Sequence, residues 1–191
     1  MTRIFLTLAL LDSLALTGAF FFGVASKLRD SLLTRDDPTF TIHFHFGLWS
    51  AVLTLLVHCL IFTYFLGTGR WVKEVGLAYD LPDEPLLKQT RTLKRRTYPL
   101  ALIAMLVTIM TAAAGAGAQQ QSWPWGVHAT FAGVTLLMNL WAFVAEYRNV
   151  RINGGVIDQV LVEVDRIRAE RGLPSNEEAW QAEQEEGASH G

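Results

Sequence analysis

The sequence predicts an all-α integral membrane protein: a four-helix up-down bundle followed by a cytoplasmic amphipathic C-terminal helix. Three observations predict it. Of 191 residues, 51% are hydrophobic and only 18% charged, against about 25% charged in an ordinary soluble chain. The apolar residues gather in four runs of about 20 residues, the length an α-helix needs to cross a hydrocarbon core of about 30 Å. None of the runs alternates in the manner of barrel strands. The formal net charge of -2 excludes nucleic-acid binding through overall basicity. The single cysteine, Cys59, excludes a disulfide framework and a cysteine-built zinc or iron–sulfur site.

The runs lie at 4–25, 44–66, 98–118 and 127–147. The first follows Arg3 and ends in Gly-Val-Ala, as a signal peptide would. A signal core spans about 7–15 residues, however, and this run is longer and contains Asp12, so a retained helix is expected. Lys and Arg accumulate on the cytoplasmic side of a membrane. The connection after the second run carries Arg70, Lys73, Lys88, Arg91, Lys94, Arg95 and Arg96, whereas 119–126 carries none. In the first connection Lys27, Arg29 and Arg35 are offset by Asp30, Asp36 and Asp37. Both termini are therefore expected in the cytoplasm, with a bacterial inner membrane as the default setting. Trp49, Trp71, Trp123 and Trp125 fall near the boundaries, where interfacial aromatics belong.

A division follows into a transmembrane domain at 1–150 and a cytoplasmic helical tail at 151–191. Asn153-Gly154-Gly155 reads as a helix stop or hinge. Val156, Ile157, Val160, Leu161, Val164 and Ile167 then recur at helical spacing. Acidic residues match basic ones on the opposite face, which favours packing on the cytoplasmic loop or a neighbouring subunit over a membrane-surface anchor. Ser175 with Glu178 forms a capping box before a short acidic helix ending near Gly187.

Polar residues at membrane depth are expensive unless they have a partner or a task. With both termini inside, His45 and His128 lie at the outer ends of the second and fourth helices, at matching depth. Two imidazoles facing each other across a bundle can ligate one haem iron axially. Gly18, Gly23, Gly47, Gly115, Gly126 and Gly133 lie at that level and let a flat group approach the backbone. They serve plain helix–helix packing equally well. Gly47, Gly115 and Gly133 are the expected cofactor-facing positions, and Lys27, Arg29 and Arg35 could meet haem propionates.

Histidines at these places on the second and fourth helices resemble the four-helix core of membrane cytochromes b in quinol-oxidising complexes. The resemblance implies haem b, held by His45 and His128, and electron transfer with a quinol or partner protein. That family carries two histidines on each of the two helices, about four turns apart on one face. Here His58 follows His45 by thirteen residues, roughly 220° around the helix, and no histidine lies at the matching depth near Trp141.

His58 sits deeper. Asp12 could pair with it in a proton path or quinone site, with Met105 and Asn139 near the same depth and Met105 a further iron ligand to consider. The bland alternative is a hydrogen bond that fixes the bundle. His43, in His-Phe-His with His45, would with His128 offer three imidazoles to copper or zinc. Glu146 and Tyr147 are expected as solvated boundary residues beside Arg148, and His190 as incidental.

The expected function is thus a haem-bearing electron-carrying subunit rather than a stand-alone enzyme. Its partners would be lipid, other membrane subunits or further copies of itself, and a quinone. The alternatives are a cofactor-free structural or assembly subunit, and an outer-face copper or zinc protein. No dinucleotide fingerprint, phosphate loop, metalloprotease motif or calcium loop is present in the sequence.

Overall fold

The computed structural model describes residues 1–28 and 38–189. Five helices account for nearly all of them: α1 Thr2–Leu28, α2 Pro38–Tyr79, α3 Lys88–Gln119, α4 Trp125–Glu170 and α5 Asn176–Ser189. A π-helical turn at Asp83–Leu87 leads directly into α3. Four stretches are long and apolar enough to cross a membrane: Thr2–Leu28, Pro38–Tyr79, Pro85–Gln119 and Trp125–Glu170. Arg29, Asp30, Arg35, Asp36, Asp37 and His190 lie outside the described residues.

In the packed helices, α1 lies along α2 and α4, and α3 along α2 and α4, while α2 and α4 also meet each other. The faces are sorted against the soluble-protein rule. Large apolar side chains such as Leu14, Phe21, Trp49, Leu66, Leu106, Leu137 and Trp141 point outward. The buried stripe of α1 is Phe5, Ala9, Asp12, Leu16, Ala19 and Ser26, spaced mostly by alternating fours and threes as in coiled-coil packing. On α4 the stripe runs Thr135, Asn139, Ala142, Glu146, Val150 and Asn153. Small and polar residues share the interior with an apolar cluster of Phe5, Val57, Ile61, Phe65, Phe143 and Val150, and the bulky apolar side chains outside suit helices whose outer solvent is lipid. Threonines on the stripe of α3, Thr97 and Thr108, donate to the carbonyls of Leu93 and Ala104 one turn earlier, so their hydroxyls cost little.

Two helices run far past the apolar runs that seed them. At 1.5 Å per residue, α4 is about 69 Å long and α2 about 63 Å, well beyond a hydrocarbon core of about 30 Å. Their extensions pack together. Val72 and Leu81 bury against Val156, Val160 and Val164, with Trp71, Val75, Leu86 and Leu87 closing the cluster. The amphipathic stripe after residue 155 therefore covers the extension of α2 and the turn that follows it, as its balanced charge suggested.

That packing corrects the expected stop at Asn153-Gly154-Gly155. The helix continues unbroken to Glu170, and the boundary drawn at 150/151 falls inside it. Asn153 is fully buried, and its Nδ2 donates to the Tyr64 hydroxyl and to Thr68 Oγ1, each at 3.1 Å. Burial on both sides of the glycines outweighs their cost of about 1 kcal/mol each in a helix interior. Gly67-Thr68-Gly69-Arg70 likewise lies within α2 and forms no loop.

The ends follow their chemistry. Asp80, at φ 54°, closes α2, and the Leu81 amide returns to the Gly76 carbonyl at 2.9 Å. The expected capping box is formed: Ser175 N donates to Glu178 Oε2 at 2.8 Å, and Glu178 N to Ser175 Oγ at 3.2 Å. Asp165 Oδ1 accepts both the amide and the side-chain Nδ2 of Asn176, tying α5 to α4.

Two outcomes test this architecture. A methyl group on Gly154 or Gly155 would meet nothing within 4 Å, so Gly154→Ala and Gly155→Ala should each stabilise the protein by about 0.5–1 kcal/mol in reversible unfolding. A true hinge would lose stability instead. The backbone N–H of Ser175 holds the Glu178 carboxyl below the usual carboxylate value. The cap therefore contributes fully above the ordinary glutamate range and is lost as pH falls through the depressed value. Amide exchange at Ser175 and Ala179 should accelerate in that acid window and not at neutral pH.

Candidate functional site

Polar side chains gather at two levels. At the level nearer the ends of α1 and α3, His43 on α2 faces His128 on α4. Their ring centroids are 6.0 Å apart with the planes at 66°. His43 Nδ1 donates to the Ala19 carbonyl of α1 at 2.8 Å, and His128 Nδ1 to the Thr111 carbonyl of α3 at 3.1 Å. A carbonyl only accepts, so both neutral rings carry their proton on Nδ1 and keep the Nε2 lone pair.

Each ring also sits against a glycine of a neighbouring helix. A Cβ at Gly23 would lie 2.8 Å from His43 Cε1, and one at Gly115 would lie 3.0 Å from His128 Cε1. Four helices thus supply this level: α2 and α4 the imidazoles, α1 and α3 the carbonyl that orients each and the glycine that admits it.

His45 is not part of it. It is exposed, and its Nδ1 turns back to the Thr41 carbonyl at 2.8 Å. Two residues correspond to about 200° of helix, so when His43 faces inward His45 faces out. The structure therefore pairs His128 with His43 where the sequence pointed to His45. Of the three glycines expected beside a cofactor, Gly115 meets His128. A Cβ at Gly133 would only approach the Phe20 ring at 3.9 Å, and one at Gly47 would meet nothing within 4 Å. Lys27 lies at this end with its ammonium 5.5 Å from the Trp125 ring centre. Among the described residues no group of three or more His, Cys, Asp or Glu side chains is arranged to hold a metal ion.

The second level lies about 22 Å further along α2, fifteen residues from His43. His58 is fully buried and lies against the Phe143 ring, centroids 5.2 Å apart and planes at 24°. Its Nδ1 is 2.9 Å from Glu146 Oε1, and its Nε2 is 2.9 Å from Asn139 Oδ1. Asn139 in turn donates from Nδ2 to the Thr135 carbonyl at 2.8 Å and to Thr108 Oγ1 at 3.2 Å. On α1, Asp12 accepts from Thr54 Oγ1 at 2.7 Å. All four helices contribute here too.

This level revises three expectations. Asp12 hydrogen-bonds Thr54, and His58 takes Glu146 and Asn139. Both ring nitrogens of His58 are engaged, which leaves none for an iron shared with Met105. Glu146 is fully buried instead of solvated beside Arg148, because α4 continues far beyond it. Glu146 is the residue that sequence reasoning missed. The available signal was its position seven residues after Asn139, two turns along the same helix face.

His58→Ala would leave Glu146 and Asn139 without their shared partner. It should cost about 1–3 kcal/mol in reversible unfolding. Cys59→Ala, at the exposed neighbouring position, should stay within about 0.5 kcal/mol.

Comparison with protein-family models, with curated protein sequences and with solved structures finds no significant match to this chain.

Proposed function

We propose that this chain is a membrane electron carrier in which His43 and His128 ligate one b-type haem. The observation that carries the reading is the pair of facing imidazoles, each with Nδ1 bound to a backbone carbonyl and Nε2 left with its lone pair. His43 and His128, with ring centres 6.0 Å apart, would hold the haem iron through their Nε2 lone pairs. A copper or zinc site would want three or four such ligands, and His45 points away. Two imidazole ligands suit a haem iron better than a bare copper or zinc ion.

When bound, the haem supplies reversible one-electron transfer. The chain's own residues do the rest. The Ala19 and Thr111 carbonyls set the tautomer and direction of each ring, the usual task of groups behind a metal ligand. Gly23 and Gly115 let the rings take up those positions. Lys27, at the same end, would meet a carboxylate of the cofactor. With both termini in the cytoplasm, as the charge pattern of the connections favours, this level lies near the outer face. Electrons would then pass to or from a quinol or a partner subunit there.

The test is a reduced-minus-oxidised visible spectrum of detergent-purified protein prepared with ample haem supply. Sharp α and Soret bands are expected, abolished in His43→Ala and His128→Ala and retained in His45→Ala. Gly23→Ala and Gly115→Ala should lower haem affinity about tenfold by displacing the rings. A colourless protein would sink the haem reading and leave a structural or assembly subunit. Loss of the bands in His45→Ala alone would overturn the ligand assignment.

A further inference from the structure

The hydrogen-bond directions at the deeper level determine more than packing. Asn139 donates from Nδ2 to the Thr135 carbonyl, an obligate acceptor, and to Thr108 Oγ1, whose own proton goes to the Ala104 carbonyl at 2.8 Å. Its Oδ1 is therefore the acceptor facing His58, and His58 Nε2 must carry a hydrogen. At Nδ1, 2.9 Å from Glu146 Oε1, one further proton is needed, on either atom. In one form Glu146 is a carboxylic acid donating Oε1–H to a neutral imidazole. In the other, an imidazolium donates Nδ1–H to a carboxylate. Moving that proton across the bond interconverts the two, and His58 Nε2–H donates to Asn139 Oδ1 in both.

Asp12 completes the charge account. It is fully buried, takes one hydrogen bond from Thr54, and its Oδ1 has no partner among the described residues. Glu146 Oε2 is likewise unpartnered. The ionisable groups that act on His58 are Glu146 on α4 and Asp12 on α1, and α3 contributes only the Thr108 hydroxyl. With both carboxylates ionised and His58 protonated, the group would carry a net negative charge inside an apolar bundle, an arrangement that burial opposes strongly. Neutrality requires at least one carboxyl to stay protonated.

We propose that Asp12, His58 and Glu146 form a proton-binding site within the apolar part of the bundle. At neutrality it holds two exchangeable protons distributed over its three groups, besides the His58 Nε2–H that is donated to Asn139. Its ligand is the proton itself, accepted or released one at a time, with the Glu146–His58 bond as the step that moves it and Asp12 as the second carboxyl. The site stands apart from the His43–His128 level and does not depend on a cofactor there.

Infrared spectroscopy of the full chain in detergent, near neutral pH and in light and heavy water, tests it. The native protein should display a protonated-carboxyl band that shifts on deuteration. Glu146→Gln keeps a side chain that can donate to His58 Nδ1, and Asp12→Asn keeps an acceptor for Thr54, so both variants retain their hydrogen bonds. At least one of them should remove or diminish that band, and each should take up one proton fewer than the native protein across a full titration. A native protein with no protonated carboxyl near neutral pH would overturn the proposal, as would a band untouched by both variants. The native spectrum decides the first point even if one variant fails to fold. Because the readout is the carboxyl band, a colourless preparation tests the site as well as a coloured one.

Discussion

The constraint on which the structure depends is that a polar group inside an apolar bundle has only other helices to bond with. Asp12, Thr54, His58, Thr108, Asn139, Glu146 and Asn153 are all buried, and an unpartnered polar group there would cost several kcal/mol. Each draws on a neighbouring helix: Asp12 of α1 on α2, His58 of α2 on α4, Asn139 of α4 on α3. Such bonds are directional, so they specify rotation and depth of every helix about its axis. Apolar packing against lipid-like surroundings does neither, since lipid tails and Leu side chains are equivalent solvents. The two levels of bonds therefore act as the register marks of the bundle.

The glycine–histidine contacts obey the same logic. An imidazole reaching the carbonyl of an adjacent helix needs that backbone to be close, and a methyl group at Gly23 or Gly115 would meet the ring. Small residues at these positions answer both to helix packing and to the seating of a polar ring. What separates the levels is the state of their rings. His58 has both nitrogens engaged, while His43 and His128 each commit Nδ1 to a carbonyl.

The far ends of α2 and α4 add a second, conventional core. There the buried residues are Val72, Leu81, Val156, Val160 and Val164, as in a water-soluble bundle, and ion pairs such as Arg166 with Glu163 and Arg70 with Glu74 line the outside. The buried polar levels and this far-end core lie along the same continuous helices, with Asn153 on α4 between them. Helix continuity there is a tertiary effect: a local sequence of Asn-Gly-Gly favours a break, and packing on both flanks overrides it.

Four apolar helices were legible from composition and run length alone, because crossing a hydrocarbon core demands about 20 apolar residues whatever their partners. The capping box at Ser175 and Glu178 was equally legible, since both of its halves lie within four residues of chain. Rotation about each helix was not. His43 and His45 are adjacent in depth and nearly opposite in direction, and only the contacts with α1 and α4 decide which faces inward. The roughly 220° between His45 and His58 already hinted that if His58 is inside, His45 is not. Glu146 was misplaced for a related reason: the apolar run ends beside it, but the helix does not, and its partner lies 88 positions earlier in the chain. Local sequence determines where a helix is apolar; long-range hydrogen bonds, which no local pattern encodes, determine which of its polar residues meet.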